Sequence, residues 1–306
     1  MTRRATAADE HASHARANRL GILAMIGAMA CFIVNDALVK YASQTLPAAQ
    51  LIFIRGVMAS ILVLAVAQAM GATRPIREIT RGWVAARAVV DAIATMLYLV
   101  SLFHLPIANA MAINMASPLF ITVLAALFIG ERVGLSRWLA IGVGFLGVVL
   151  VIQPQAEGFN VYTLVCLVAT VLIAVRDLVT RRVHVAVPSI LITLSNTIAV
   201  MLLAGGLSLF EGWQALRAFE LGLLAIAAVF LAAAYLLIVS STRRGDLSLT
   251  APFRYTGLLF ATIAGFVVWG DVPNALAWCG IALLVGSGIY VLRASRRARA
   301  ASPAPD

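Results

Sequence analysis

Charged residues are scarce in this chain: Asp, Glu, Lys and Arg make up 12% of 306 residues, against 62% hydrophobic ones. A soluble globule of this size could not cover its surface with so little polarity. Cysteine is scarcer still, with Cys31, Cys166 and Cys279 each inside an apolar run. A thiol there behaves as a small hydrophobe, and no disulfide framework or metal-ligand spacing is present. No glycine-rich phosphate loop occurs, which removes direct nucleotide drive. Beyond the polar N-terminal tail the only histidines are His104 and His184, and neither accompanies a serine or cysteine in a nucleophile motif. Enzyme chemistry, a cofactor and a metal are therefore not expected.

What the chain has in abundance is apolar runs long enough to cross a bilayer, about 20 residues each. Ten are legible, near 20–41, 48–70, 83–102, 107–130, 135–152, 162–180, 189–209, 219–241, 247–269 and 275–292. The fold class expected is an all-α polytopic membrane protein, with polar tails at 1–19 and 293–306. Ala28-Met29-Ala30-Cys31 imitates a lipoprotein cleavage box, but the apolar run continues through Asp36 to Tyr41, as a retained helix would. Seventeen of the 23 basic residues fall in the tails and alternate loops, against Arg217 alone in the opposite loops. This asymmetry places both termini in the cytoplasm of a bacterial inner membrane, with the loops at 155–160 and 211–217 periplasmic. The net charge of +10 is then a topology signal, not a nucleic-acid surface. The expected partners are membrane lipid and a small-molecule substrate.

The chain also repeats itself. Asp36, Lys40 and Pro47 return as Asp177, Arg181 and Pro188 at an offset of 141, while Gly130-Glu131 and Trp138 return as Gly270-Asp271 and Trp278 at 140. Five runs fall in each unit, 20–152 and 160–292. An odd number of crossings inserts the second copy upside down relative to the first. Inverted repeats with charges at depth are expected of alternating-access transporters.

Lys40, Arg55, Arg87, Arg176 and Arg254 lie in or at the margins of spans, with Asp36, Asp91 and Asp177. Asp36 with Lys40, Arg87 with Asp91 and Asp177 with Arg181 are each four apart, so local pairing on one helical face is expected. The alternative is that Asp36, Asp91 or Asp177 couples transport to protons. Arg55, Arg176 and Arg254 have no carboxylate at that spacing, and an unpaired guanidinium at depth should face a cavity or an acceptor. The repeat offsets pair Asn35 with Arg176, Arg55 with Asn196, and Asn114 with Arg254. These layers would bracket a midplane chamber, or else glue helices together by interhelical hydrogen bonds. Tyr98 and Tyr235 occupy corresponding depths in the third and eighth spans, and Tyr255 follows Pro252, which should interrupt the ninth. Such rings could stack on a planar solute. Trp83, Trp138, Trp213, Trp269 and Trp278 suit the interfacial belt. Gly142, Gly144, Gly147, Gly280, Gly286 and Gly288 suit close packing, within the chain or across a homodimer.

These features in order, Asn35-Asp36 with Lys40, Arg55, Pro118, and Gly130-Glu131 closing the fourth run, resemble the EamA-type branch of the drug/metabolite transporter superfamily. The resemblance covers about 20–292 and implies a ten-helix carrier of small metabolites. Ala251-Pro252-Phe253-Arg254-Tyr255-Thr256-Gly257 is similar to the subgroup with riboflavin and S-adenosylmethionine carriers. The second half departs from the family pattern, with Asp271 in place of glutamate and Leu258 opposite Pro118. The expected function is secondary transport of a ring-bearing metabolite; the alternatives are an amino-acid or drug exporter and a passive channel.

Overall fold

A computed structural model describes residues 2–73, 76–131, 133–153, 160–184, 187–244 and 247–301. Among these residues every regular element is a helix. Ten helical spans are long and apolar enough to cross a membrane: Arg16–Ala42, Ala48–Ala69, Gly82–His104, Ile107–Ile129, Leu135–Ile152, Tyr162–Thr180, Ser189–Glu211, Ala218–Ser241, Ala251–Trp269 and Ala275–Ala294. They match the ten runs read from the sequence. The first helix begins at Thr2 and the last continues to Ala301, so each tail extends a span without a break. Most of the loop expected at 155–160 lies outside the described residues.

Two spans are broken. The fourth comprises a helix over Ile107–Asn114, a second over Ser117–Leu124 with Pro118 in its first turn, and a π turn over Ala125–Ile129. The ninth opens with a 3-10 turn, Ala251–Tyr255, around Pro252 and then runs as α-helix to Trp269. Proline removes a backbone donor and clashes with the preceding turn, which accounts for the interruption expected at Pro252. At the offset of 140 the break after Asn114 falls on the Tyr255–Thr256 junction, although the prolines do not correspond, since Pro118 has Leu258 as its counterpart.

The repeated residues make the same local structure in both halves. Pro47 precedes the second span with φ −57° and ψ 142°, and Pro188 precedes the seventh with φ −59° and ψ 135°. Gly130 and Gly270 end the fourth and ninth spans in the left-handed region, at φ 73° and 71°. There the following acid's N–H reaches back six residues, Glu131 to the Ala125 carbonyl and Asp271 to the Gly265 carbonyl. Only glycine takes that conformation without steric cost, so the Gly-acid pair is a helix terminator.

Span neighbours also correspond. The first packs on the eighth and ninth, as the sixth packs on the third and fourth; the third meets the seventh as the eighth meets the second. Second with seventh, fourth with ninth, and fifth with tenth are self-corresponding contacts. Two five-span units related by a two-fold would give this pattern. The fifth and tenth spans approach closely, since a Cβ on Gly147 would lie 2.6 Å from the Gly280 carbonyl, and the reverse distance is also 2.6 Å. These glycines serve packing inside the chain, whereas Gly142 and Gly286 face open space.

Apolar packing differs between the two ends of the bundle. One large core, with members from all ten spans, fills the middle and the end that carries Lys40; Val39, Leu51, Leu102, Ile107, Leu224 and Ile281 belong to it. Toward the end that carries the termini, packing divides into separate clusters: Ile190, Leu191 and Val63; Met25, Ala28 and Met29; and Leu119, Leu284 and Val291.

Candidate functional site

A polar cluster interrupts the apolar core where the first three spans meet. Asn35, 1% exposed, donates from Nδ2 to Asp36 Oδ1 at 2.9 Å and accepts from Arg55 Nη1 at 3.3 Å. The Tyr98 hydroxyl donates to Asp36 Oδ2 at 3.2 Å. Arg55 is 4% exposed, and its Nε has no hydrogen-bond partner. The Asp36 charge acts on Arg55 across this short gap. Four residues expected in the site thus meet in one place, on helices that the core holds rigidly.

A second cluster joins the third, sixth and seventh spans. Arg176 is doubly paired, through Nη1 to Asp91 at 2.6 Å and through Nη2 to Asp177 at 2.8 Å. Arg87 donates from Nε to Thr180 Oγ1 at 2.7 Å and from Nη1 to Asn196 Oδ1 at 2.8 Å. Asp91 and Asn196 are buried.

These contacts correct the expected local pairing. Asp36 bonds Asn35 and Tyr98 instead of Lys40, Asp91 bonds Arg176 instead of Arg87, and Arg181 meets Glu131 at 3.8 Å instead of Asp177. Arg176, read as lacking a carboxylate, has two. The physical reason is that a buried carboxylate takes the nearest donors, which are the preceding residue on the same helix for Asp36 and Asp177 and a residue of a neighbouring helix, Tyr98 for Asp36 and Arg176 for Asp91.

Tyr235 lies between the clusters, close enough for Arg55, Arg87, Asp91 and Arg176 all to act on its hydroxyl. Its ring packs edge-on against Phe32, with centroids 5.5 Å apart. The two clusters together carry three cations, Arg55, Arg87 and Arg176, and three anions, Asp36, Asp91 and Asp177.

The other expected residues fall elsewhere. Lys40 donates from Nζ to the carbonyls of Leu102, at 2.8 Å, and Leu105, at the end of the third span. Asn114 ends the first piece of the fourth span, half-buried, with no hydrogen bond to its amide among the described residues. Arg254 is exposed on the 3-10 turn and has no polar side-chain contact among those residues. Tyr255 is buried with Leu119 and Leu284, its hydroxyl against Gly288, and so presents no free ring face as a platform. Arg87, Thr180 and Phe32 were not expected in the site. The depth of Arg87 was legible, as was its lack of a counterpart: the spacing from Tyr98 to Tyr235, 137 residues, sets Leu224 opposite Arg87 and Ala228 opposite Asp91.

Residues 19–153 match the model of the EamA-like transporter family. A riboflavin transporter of Vibrio cholerae is 29% identical over 91% of this chain and 96% of its own length. A pseudopaline exporter of Pseudomonas aeruginosa is 28% identical over 90% of this chain and 97% of its own. An S-adenosylmethionine uptake transporter of Rickettsia bellii is 25% identical over 86% and 90%. A crystal structure covering 93% of this chain, and all of its own, has a TM-score of 0.63 at 17% identity, so the fold is shared.

Proposed function

The chain is an EamA-type member of the drug/metabolite transporter superfamily, and on that premise we propose that it moves a ring-bearing metabolite, riboflavin-like before S-adenosylmethionine-like, by alternating access. The observation that carries this reading is the charge balance of the two polar clusters. With Arg55 offset by Asp36, and Arg176 by Asp91 and Asp177, the site offers directional donors and acceptors without a net field. A neutral solute with acceptor atoms on its edge suits such a lining better than an anion does. The unsatisfied Nε of Arg55 asks for one such acceptor, since a buried donor left unpaired costs about 1–3 kcal/mol. Tyr235 and Tyr98 supply aromatic surface on the two sides.

Counterflow in proteoliposomes tests this. Internal unlabelled riboflavin should drive saturable uptake of external labelled riboflavin, with flavin rings competing and aliphatic amino acids not. Strong competition by leucine or threonine with none by flavins reverses the ranking toward an amino-acid exporter, and absence of counterflow favours a channel. The bacterial inner membrane, with both termini cytoplasmic, is the setting this reading assumes from the loop charges. Membrane-impermeant thiol reagent should reach Trp213→Cys in intact cells and fail to reach Arg182→Cys.

A further inference from the structure

Lys40 and Arg181 occupy equivalent repeat positions at opposite ends of the bundle, and their surroundings differ. Lys40 is 8% exposed and lies over the Trp269 ring at 5.5 Å while it caps the Leu102 and Leu105 carbonyls. An ammonium at a helix C-terminus meets unpaired carbonyls and the negative end of the dipole, and the ring face supplies a further attraction. One side chain thereby ties the first span to the ends of the third and ninth. Beside it, Gln50 and Gln214 exchange two hydrogen bonds at 2.9 Å, and the Ala49 N–H donates to Glu211 at 2.8 Å. The large core lies directly beneath. This end is shut.

Arg181 has none of these partners. Its side chain is 40% exposed, and its one ionic contact is Glu131 at 3.8 Å, with no carbonyl of a neighbouring helix in reach among the described residues. Glu131 is the repeat counterpart of Asp271. Asp271 lies close enough to act electrostatically on Lys40, without an ion pair, and lines a 360 Å³ cavity with Leu105, His104 and Asn109. The two ends thus display one motif in two arrangements: the base on helix-end carbonyls where packing is continuous, and the base on the acid where packing is divided.

We propose that Lys40 is a gate latch that exchanges between the third-span carbonyls when its end is closed and Asp271 when that end opens, with Arg181 and Glu131 as the equivalent pair at the other end. The latch rests on the alternating-access reading but not on any substrate, so it is measured on protein without solute. Spin labels at positions 44 and 104, at the ends of the first and third spans, report the separation across the latch in the purified full chain. Lys40→Met keeps the aliphatic stem and removes the donors, and should raise the ratio of long to short distances at least about threefold. Asp271→Asn removes the alternative partner and should lower it. Lys40→Arg, which copies the counterpart, should stay near the unsubstituted protein and carries the test with Asp271→Asn if Lys40→Met does not fold. Opposite displacements support the latch. An unchanged distribution, or displacement of Lys40→Met and Asp271→Asn in the same direction, overturns it. Flavin counterflow run in parallel separates this outcome from failure of the substrate reading, because the distances carry no information on which solute binds.

Discussion

The Asn35 and Arg176 clusters differ at several corresponding positions, with Asn35 against Arg176, Arg55 against Asn196 and Ala228 against Asp91, and the residue before the acid sets the contrast. At position 35 an asparagine precedes the acid, and Asp36 is held by a neutral amide and by the Tyr98 hydroxyl. At position 176 an arginine precedes the equivalent acid and bonds both Asp177 and Asp91. Charge in the second cluster is consumed internally. In the first, the asparagine leaves Arg55 one amide contact and an unsatisfied Nε. The two clusters thus present one locked polar layer and one with spare donor capacity. The difference arises because a guanidinium can bridge two carboxylates, whereas an amide can only relay.

The comparison breaks first at Arg176. Arg176→Met leaves Asp91, 3% exposed, without its counter-charge, and should cost about 3–5 kcal/mol in thermal unfolding of the purified protein. Asp91→Asn in the same chain should recover much of that loss; if the single variant unfolds like the parent, the second layer is not locked. Arg55→Met should cost less, about 1–3 kcal/mol, because only an amide and a partial charge partner are left behind. Its counterflow rate should nevertheless fall at least about tenfold, the equivalent of 1.4 kcal/mol of lost binding. A variant that unfolds as badly as Arg176→Met would make Arg55 structural.

Two smaller effects sharpen the contrast between positions used inside the chain and positions outside the clusters. Gly147→Ala forces a methyl against the Gly280 carbonyl and should lower stability by about 1–3 kcal/mol. Gly142→Ala, facing open space, should stay within about 0.5 kcal/mol, read by the same thermal unfolding. The smallest change is expected from Arg254→Ala, within about 0.5 kcal/mol and with counterflow near that of the parent, since Arg254 is exposed and makes no polar contact among the described residues. Loss of transport there would return Arg254 to the site.

Spans, the break at Pro252 and the terminators were legible because each follows from local chemistry, whereas the break in the fourth span was not expected. Apolar length sets the spans, Pro252 interrupts the ninth, and Gly130 and Gly270 end their helices in the one conformation that glycine tolerates best. Asn35, Asp36, Arg55 and Tyr98 were each legible as residues of interest at depth, though not as one group, since Asp36 was assigned to Lys40 and Tyr98 to Tyr235. Partner identity was not. Sequence spacing ranks contacts along one helix, whereas Arg176 meets Asp91 from 85 positions away, and Arg87 meets Asn196 from 109. Arg254, joined to the site by repeat arithmetic, and Tyr255, read beside it as an aromatic platform, lie apart from both clusters, Arg254 exposed on its turn and Tyr255 packed with Leu119 and Leu284.

By itself the sequence determined the membrane class and the ten spans, because hydrophobic length is a property of the chain taken in order. Only the tertiary structure decided which charges neutralise one another, that Tyr235 stands between the two layers, and that Lys40 caps carbonyls while Arg181 does not. Those outcomes depend on distances between helices. Such distances follow from how all ten spans pack at once, and no pattern along a single span contains them.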